Sequence, residues 1–354
     1  MYEARQKEEI LLQNGDMGEG IAFSNLALIK YWGKDEGVQN PSTSSISVHL
    51  PLFKTYTRIF VKGRFKPDPF THFTHSTHFS DKNPLSLPLS VMTKETPCSL
   101  KLESFLDTFF RGWAPEIKVH VETFNGFPTA CGIASSASGY AALVKALANL
   151  IQIEKWLEPH EVKDWMECWA RLGSGSACRS ISESPFVYWK KETFHQEMED
   201  LIFHSKYQKL EHSIALVNTD AKELSSSDGH KNAPTSPFYE IRRRKNIQDC
   251  KELSEALAEG NFSLIRRITE EDALLMHGIS LTGKLKHQYF SFKTQSVIER
   301  FLFLRNELSL NEALWTLDAG KNPHFLFMPS AKPLMERLRL EFPEMKWMTG
   351  FSHL

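Results

Sequence analysis

A mixed α/β protein of two domains is what this sequence predicts, and three observations carry the prediction. The chain has 354 residues, room for two domains at roughly 100–200 residues each. Strand-like apolar runs and segments of helical period both recur along it. A Gly/Ala/Ser-rich stretch, Pro128 to Gly139, also runs straight into a helical segment. Apolar residues make up 41% and charged residues 24%, an ordinary globular balance that excludes general disorder. Lys and Arg total 42 against 43 Asp and Glu, a net charge of −1. That balance argues against a dedicated nucleic-acid or polybasic membrane-surface protein and leaves room for a local anion site.

In chain order, residues 1–20 are polar and acid-rich (Glu3, Glu8, Glu9, Asp16, Glu19) and read as a leader. They lack the basic start and apolar core of a secretory signal. Ile21 to Lys30 is mostly apolar and ends in a lysine, a buried strand delivering Lys30 to its end. Gly33 and Gly37 mark a turn. Residues 44–62 carry β-formers (Ile46, Val48, Tyr56, Ile59, Phe60, Val61) and read as a hairpin. Residues 63–97, rich in Pro, His, Ser and Thr, read as irregular connection. Ser99 to Arg111 has apolar residues at helical spacing (Leu102, Phe105, Leu106, Phe109, Phe110), and Ile117 to Glu122 alternates as a strand does. Tyr140 to Ile151 and Glu161 to Leu172 read as helices, the second with Trp165, Cys168 and Trp169 on its apolar face. Phe186 to Trp189 reads as a strand and the charged residues 190–210 as a crossing segment. Ile214 to Asn218 opens the second domain, so that the domains run 21–210 and 211–354. Helices follow at about 235–259, 261–279 and 293–307, and strands near 313–317 and 324–328.

The five cysteines (98, 131, 168, 178, 250) are odd in number and widely spaced. This is neither a disulfide framework nor a zinc knuckle, and it fits a reducing compartment, the cytoplasm. No run of about 18 apolar residues exists, so no membrane span is expected.

Several stretches can carry chemistry. Small residues opening a helix at 128–139 let backbone amides approach an anion at the positive helix end, and Ser135, Ser136 and Ser138 add hydroxyls. The same small residues equally allow close helix packing. Gly173-Ser-Gly-Ser-Ala-Cys178 repeats the pattern and ends in Arg179, whose planar fork pairs with a carboxylate or phosphate; a helix stop followed by a surface arginine is the plainer alternative. Lys30 and Lys34 flank Tyr31-Trp32-Gly33. Asp318 closes an apolar strand just before Ala319-Gly320, either as a base or as a cap. Ser225 to His230 reads as a small polar turn. His72, His75 and His78 lack acidic or cysteine partners, and no metal centre is expected of them. Arg242 to Lys245 reads as a solvated helix face.

Each stretch is weak alone, but their order is specific. Asn25-Leu-Ala-Leu-Ile-Lys-Tyr-Trp-Gly-Lys34, Ser44-Ser-Ile-Ser-Val48 and Phe127-Pro-Thr-Ala-Cys-Gly-Ile-Ala-Ser-Ser-Ala-Ser-Gly139 closely resemble the mevalonate diphosphate decarboxylase family of the GHMP kinase superfamily. So do Gly173-Ser-Gly-Ser-Ala-Cys-Arg-Ser180, Thr235-Ser-Pro-Phe-Tyr239 and Leu317-Asp-Ala-Gly320. The resemblance covers about residues 21–330. It implies an N-terminal domain like ribosomal protein S5 domain 2, a ferredoxin-like C-terminal domain, and an active site in the cleft between them. It further implies a reaction: ATP, with Mg²⁺, phosphorylates the 3-hydroxyl of mevalonate 5-diphosphate, then phosphate and CO2 leave to give isopentenyl diphosphate. By the same resemblance, Asp318 orients or deprotonates the 3-hydroxyl, Lys30 contacts this aspartate and the transferring phosphate, and Arg179 clamps the carboxylate. Gly132, Ala134, Ser135, Ser136 and Ser138 cradle the ATP phosphates. Ser174 and Ser176 lie near the transferred phosphate, and Tyr31, Trp32 and Lys34 flank the substrate diphosphate. Related enzymes are often homodimers.

The chain departs from the family pattern at Thr43, where Asn is usual, at Ser182-Glu-Ser-Pro-Phe186, where a Gly-Gly pair precedes Phe-Val, and at His230, where Met is usual. The family's diphosphate-binding arginine has no identified counterpart in residues 63–85. These departures touch diphosphate recognition. A decarboxylase or kinase acting on a monophosphorylated mevalonate is therefore an alternative, as is a non-catalytic binder of isoprenoid phosphates.

Overall fold

The computed structural model describes residues 12–36, 39–64, 73–79, 96–97, 99–111, 114, 116–127, 135–191, 196–217 and 224–351. Its first part comprises β1 (Met17–Ile29), β2 (Ser45–Arg64), β3 (Phe73–Phe79), β4 (Thr96–Pro97), α1 (Leu100–Phe110), β5 (Ile117–Asn125), α2 (Ser135–Leu150) and α3 (Pro159–Gly173). The rest comprises β6 (Phe186–Lys191), β7 (Gln196–Asp200), β8 (Glu211–Leu216), α4 (Ser226–Asn232), α5 (Tyr239–Glu259), α6 (Phe262–Thr282), α7 (Phe292–Glu307), β9 (Ala313–Thr316), β10 (His324–Phe327), α8 (Lys332–Glu341) and β11 (Lys346–Phe351). Two compact units organise the chain, one of Met1–Ala22, Lys54–Phe127 and Ser136–Ile181, the other of Phe23–Phe53, Pro128–Ser135 and Ser182–Leu354.

In the first unit β5 pairs antiparallel with the second half of β2, placing Ile59 opposite Val121 and Val61 opposite Val119. Its other edge takes β3 in parallel. Ile59 and Val61 of β2 and Ile117, Val119 and Val121 of β5 pack on α1 and α2 in one core. Helix α1 forms because Leu102, Phe105, Leu106, Phe109 and Phe110 recur at helical spacing and are buried, while the Ser99 side chain accepts the Leu102 amide hydrogen. Helix α2 is apolar nearly all round, as a helix enclosed by core must be. Pro159 in the first turn and the Glu158/Glu161 capping box start α3.

In the second unit Ser45–Val48 of β2 pairs antiparallel with β6, which pairs in turn with β7. A four-stranded antiparallel sheet runs β11-β8-β10-β9. Ala215, Trp315, Phe325 and Phe327 from this sheet share a core with Val297, Phe301 and Leu304 of α7 and Leu334, Met335 and Leu338 of α8.

The mixed class and most elements are as expected, with several corrections. Residues 44–62 form no hairpin but one strand, because the two halves of β2 have different partners. Within 63–97, expected to be irregular, β3 and β4 form; His75 and His78 fall on β3, and His72 lies outside the described residues. The charged stretch 190–210 contains β7, where Glu197 stands opposite Lys190 of β6 and Glu199 pairs with the same lysine. The expected leader is partly built into the fold, since β1 begins at Met17 and Leu12 is buried in the core. Ser225–His230 is not a turn: Ser225 caps α4 and accepts the Asp228 amide hydrogen. Cys168 is exposed rather than on the apolar face. Helix α8 and strand β11 were not anticipated.

Candidate active site

Strand β1 is buried over its last six residues, Ser24 to Ile29, and the chain leaves it at Lys30, only 2% exposed. An ammonium so placed needs partners. Lys30 Nζ donates to the Ala27 carbonyl at 2.8 Å and to Asp318 Oδ1 at 2.5 Å. Asp318 follows β9 by two residues, and the Gly320 amide donates to its carbonyl at 2.7 Å. Its side chain keeps 25% exposure beside the enclosed ammonium. The fold thus joins residues 288 apart in sequence. A partly exposed carboxylate held by a buried cation can receive a proton from an incoming hydroxyl, while the cation offsets negative charge gathering on a phosphoryl group.

The backbone of Lys30 is gripped as well. Its N–H donates to Asp272 Oδ2 at 2.6 Å, and its carbonyl accepts from Arg242 Nη2 at 2.7 Å. Arg242 and Asp272 pair with each other at 3.0 Å, their side chains 1% and 2% exposed. Sequence reasoning placed Arg242 on a solvated face, and the structure buries it. The signal was in the spacing: Tyr239, Arg242, Asn246, Asp249, Cys250, Leu253, Ala256 and Leu257 form the buried stripe of α5. Asp272 and His277 lie on the buried stripe of α6 and were also missed. His277 Nε2 lies 3.3 Å from the Leu317 carbonyl, just before Asp318, so Nε2 carries the proton. Burial, more than any neighbour, holds its pKa down to about 4.

Tyr31 and Trp32 are buried against the His230 ring, with centroids 4.4 and 4.9 Å away, and Trp32 meets Tyr289 edge-on. The Gly33 N–H donates to His230 Nδ1 at 3.0 Å, which leaves the imidazole proton on Nε2. Gly33 sits at φ +97°, and a Cβ there would lie 2.0 Å from Tyr239 Oη. Lys34 is partly buried and donates to Gln39 Oε1 at 2.5 Å.

In the first unit, Ser136 and Ser174 hydroxyls approach to 3.4 Å at the start of α2. Ser135 is partly buried and Ser136 exposed there. The first turn of α2 carries no acidic side chain of its own. Ser138 is fully buried, its hydroxyl shared with Thr55 at 2.7 Å. Ser176 and Arg179 lie on a 3₁₀ segment, Gly175–Ser180, where Arg179 is 3% exposed. Gly132 and Ala134 lie outside the described residues. Among the described residues, no group of three or more His, Cys, Asp or Glu could hold a metal ion, and no helix is long and apolar enough to cross a membrane.

Residues 22–199 match the family described as the diphosphomevalonate decarboxylase-like N-terminal domain, and residues 213–353 the mevalonate 5-diphosphate decarboxylase C-terminal domain. The diphosphomevalonate decarboxylase of Schizosaccharomyces pombe is 28% identical over 313 residues, 86% of this chain and 77% of that one. The crystal structure of mevalonate diphosphate decarboxylase from Staphylococcus aureus aligns with a TM-score of 0.79 at 26% identity, covering 94% of this chain and 95% of that one. MDDEF in complex with MVAPP, AMPPCP and magnesium aligns with a TM-score of 0.78 at 26% identity, covering 95% and 97%.

Proposed function

The chain belongs to the diphosphomevalonate decarboxylase family, and from that premise we propose that it converts mevalonate 5-diphosphate and ATP to isopentenyl diphosphate, ADP, phosphate and CO2. The fold is that of the GHMP kinase superfamily. One observation carries the chemistry: the buried Lys30 ammonium bound to the partly exposed Asp318 carboxylate.

A tertiary alcohol is a poor leaving group, and phosphorylation turns it into a good one. Asp318 orients the 3-hydroxyl and takes its proton. Lys30 offsets charge on the phosphoryl group in flight. Departure of phosphate builds positive character at C3, which the carboxylate relieves by losing CO2. Arg179 grips that carboxylate through its two-pronged fork, which fixes the carboxylate's rotation. The exposed start of α2, with Ser135 and Ser136, suits the ATP phosphates, and Ser174 beside Ser136 suits the transferred one. Ser138, expected to bind the phosphates directly, is fully buried with its hydroxyl on Thr55, and in this reading it supports the helix start instead. Gly132 and Ala134 complete the same loop in this reading, and Ser176 joins Ser174. Lys34 meets the substrate phosphates, with Tyr31 and Trp32 shaping that side. Mg²⁺, when bound with the nucleotide, would offset the charge of its phosphates.

The reading also includes domains at 21–210 and 211–354, supported by the family matches at 22–199 and 213–353. It includes a cytoplasmic location, in keeping with free thiols at Cys168, Cys178 and Cys250. A homodimer completes it, which sedimentation velocity checks.

Purified protein supplied with ATP, Mg²⁺ and mevalonate 5-diphosphate should release ADP, phosphate and CO2 in equal amounts; ADP without CO2 overturns the reading. The departures from the family pattern at Thr43, Ser182 to Phe186 and His230 motivate one second reading, a monophosphorylated substrate. Relative kcat/KM on the mono- and diphosphate decides between the two.

A further inference from the structure

The backbone groups just past a strand's end ordinarily meet a neighbouring strand or water. At Lys30, directly after β1, the N–H and the carbonyl are instead both taken by a buried ion pair. The Lys30 N–H goes to Asp272 Oδ2 at 2.6 Å, and its carbonyl takes Arg242 Nη2 at 2.7 Å. We infer that Arg242 and Asp272 are positioning residues for Lys30, holding its backbone so that its ammonium stays on Asp318. The inference rests on the proposed phosphoryl-transfer roles of Lys30 and Asp318.

Stability alone does not account for the pair. Buried ion pairs lose so much hydration that apolar replacements of similar volume are often neutral or stabilising. This pair lies between α5 and α6 at 1% and 2% exposure, and beyond each other its partners include the backbone of Lys30. Arg242 Nη1 also reaches the Trp32 carbonyl at 3.5 Å. The guanidinium spans both Asp272 oxygens, with Nε on Oδ1 at 3.1 Å and Nη2 on Oδ2 at 3.2 Å. That occupancy has a chemical consequence. An unpaired Asp272 beside Lys30 would compete with Asp318 for the lysine's ammonium. Arg242 satisfies it, and the pair as a whole carries no net charge. Lys30 can then serve Asp318, and the substrate beyond it.

Helix α6 holds both reacting residues from one rigid element. Asp272 takes the Lys30 amide, and His277, five positions on, donates to the Leu317 carbonyl at 3.3 Å, immediately before Asp318. A single helix thereby sets the separation between ammonium and carboxylate, as a supporting shell must for a site built on strand ends.

The test removes the pair without leaving a buried charge. The double variant Arg242→Met/Asp272→Leu is expected to fold with a thermal midpoint near that of the wild type. Its kcat should fall at least tenfold while KM for ATP stays within twofold. A second double variant, Arg242→Gln/Asp272→Asn, keeps uncharged hydrogen bonding to the Lys30 N–H and carbonyl and should recover most of the lost kcat. Wild-type kcat in the folded apolar variant overturns the inference, and so does a lowered midpoint with kcat unchanged. An independent readout is hydrogen exchange at the Lys30 amide. It should quicken at least tenfold in the apolar variant, with the β10 amides unaffected, and unchanged protection overturns the inference. If the wild type releases no CO2, the functional reading fails, and the exchange measurement still decides the positioning one.

Discussion

Lys30 and Asp318 divide two tasks that one residue cannot perform, accepting a proton and offsetting negative charge. Asp318→Asn keeps the size and a hydrogen-bond acceptor but not the basicity. We expect kcat to fall about 10²–10⁴-fold, the usual worth of a positioned general base. Nucleotide affinity, read by fluorescent-analogue titration, should hold. Lys30→Arg keeps the charge and should nevertheless lose most of the activity in a steady-state assay. The compact ammonium is enclosed between the Ala27 carbonyl and Asp318, where a planar fork does not fit. Both residues were legible in the sequence, one as a lysine ending an apolar run and the other as an acid ending a strand before glycine. Their contact was implied only by the family resemblance. Arg242 and Asp272 were not identified, because a charged residue on a helix is ordinarily solvated, and only the apolar stripe around each marks it as buried.

Among elements, the connection from β1 to β2 depends on a glycine. Gly33 combines a left-handed backbone, φ +97°, with Tyr239 Oη and Ser42 Oγ 2.0 and 2.5 Å from where a Cβ would stand. Gly33→Ala should destabilise by about 1–3 kcal/mol, the cost of strained backbone, as measured by urea unfolding. Ser291 offers the opposite contrast. It caps α7 in a capping box with Thr294, so Ser291→Ala should cost about 1 kcal/mol in the same measurement and leave kcat unchanged. Helices were legible here because their apolar spacing is local. Strands were less so. β2 continues where a hairpin was expected, since β6 and β5 pair with successive parts of it. Nothing within the strand states which partners will come. The same holds for β7, a charged segment that becomes a strand beside the lysines of β6.

For the molecule as a whole, buried histidines tie stability to pH. Burial brings the His277 pKa to about 4 and holds that of His212 well below its ordinary value. The unfolded chain binds protons at these residues near pH 6.5. Between about pH 6.5 and 4 it therefore holds more protons than the native state, and stability falls as pH falls. His277 alone accounts for roughly 3 kcal/mol of that loss. Glu270 and Asp249, raised by burial, act in the opposite sense, so the informative quantity is a difference. Wild type should lose more stability than His277→Asn between pH 7 and 5 in urea denaturation. Equal losses would refute a buried neutral imidazole.

By itself the sequence determined the mixed α/β class, most helices, the absence of a nucleic-acid-binding charge balance and the order of motifs that names the family. All of these follow from local spacing and composition. Only the tertiary structure decided that Lys30 meets Asp318, that Arg242 turns inward to Asp272, and that β2 is one strand. Each depends on which distant segment supplies the partner. A buried charge or an open strand edge is satisfied only by groups that folding brings to it.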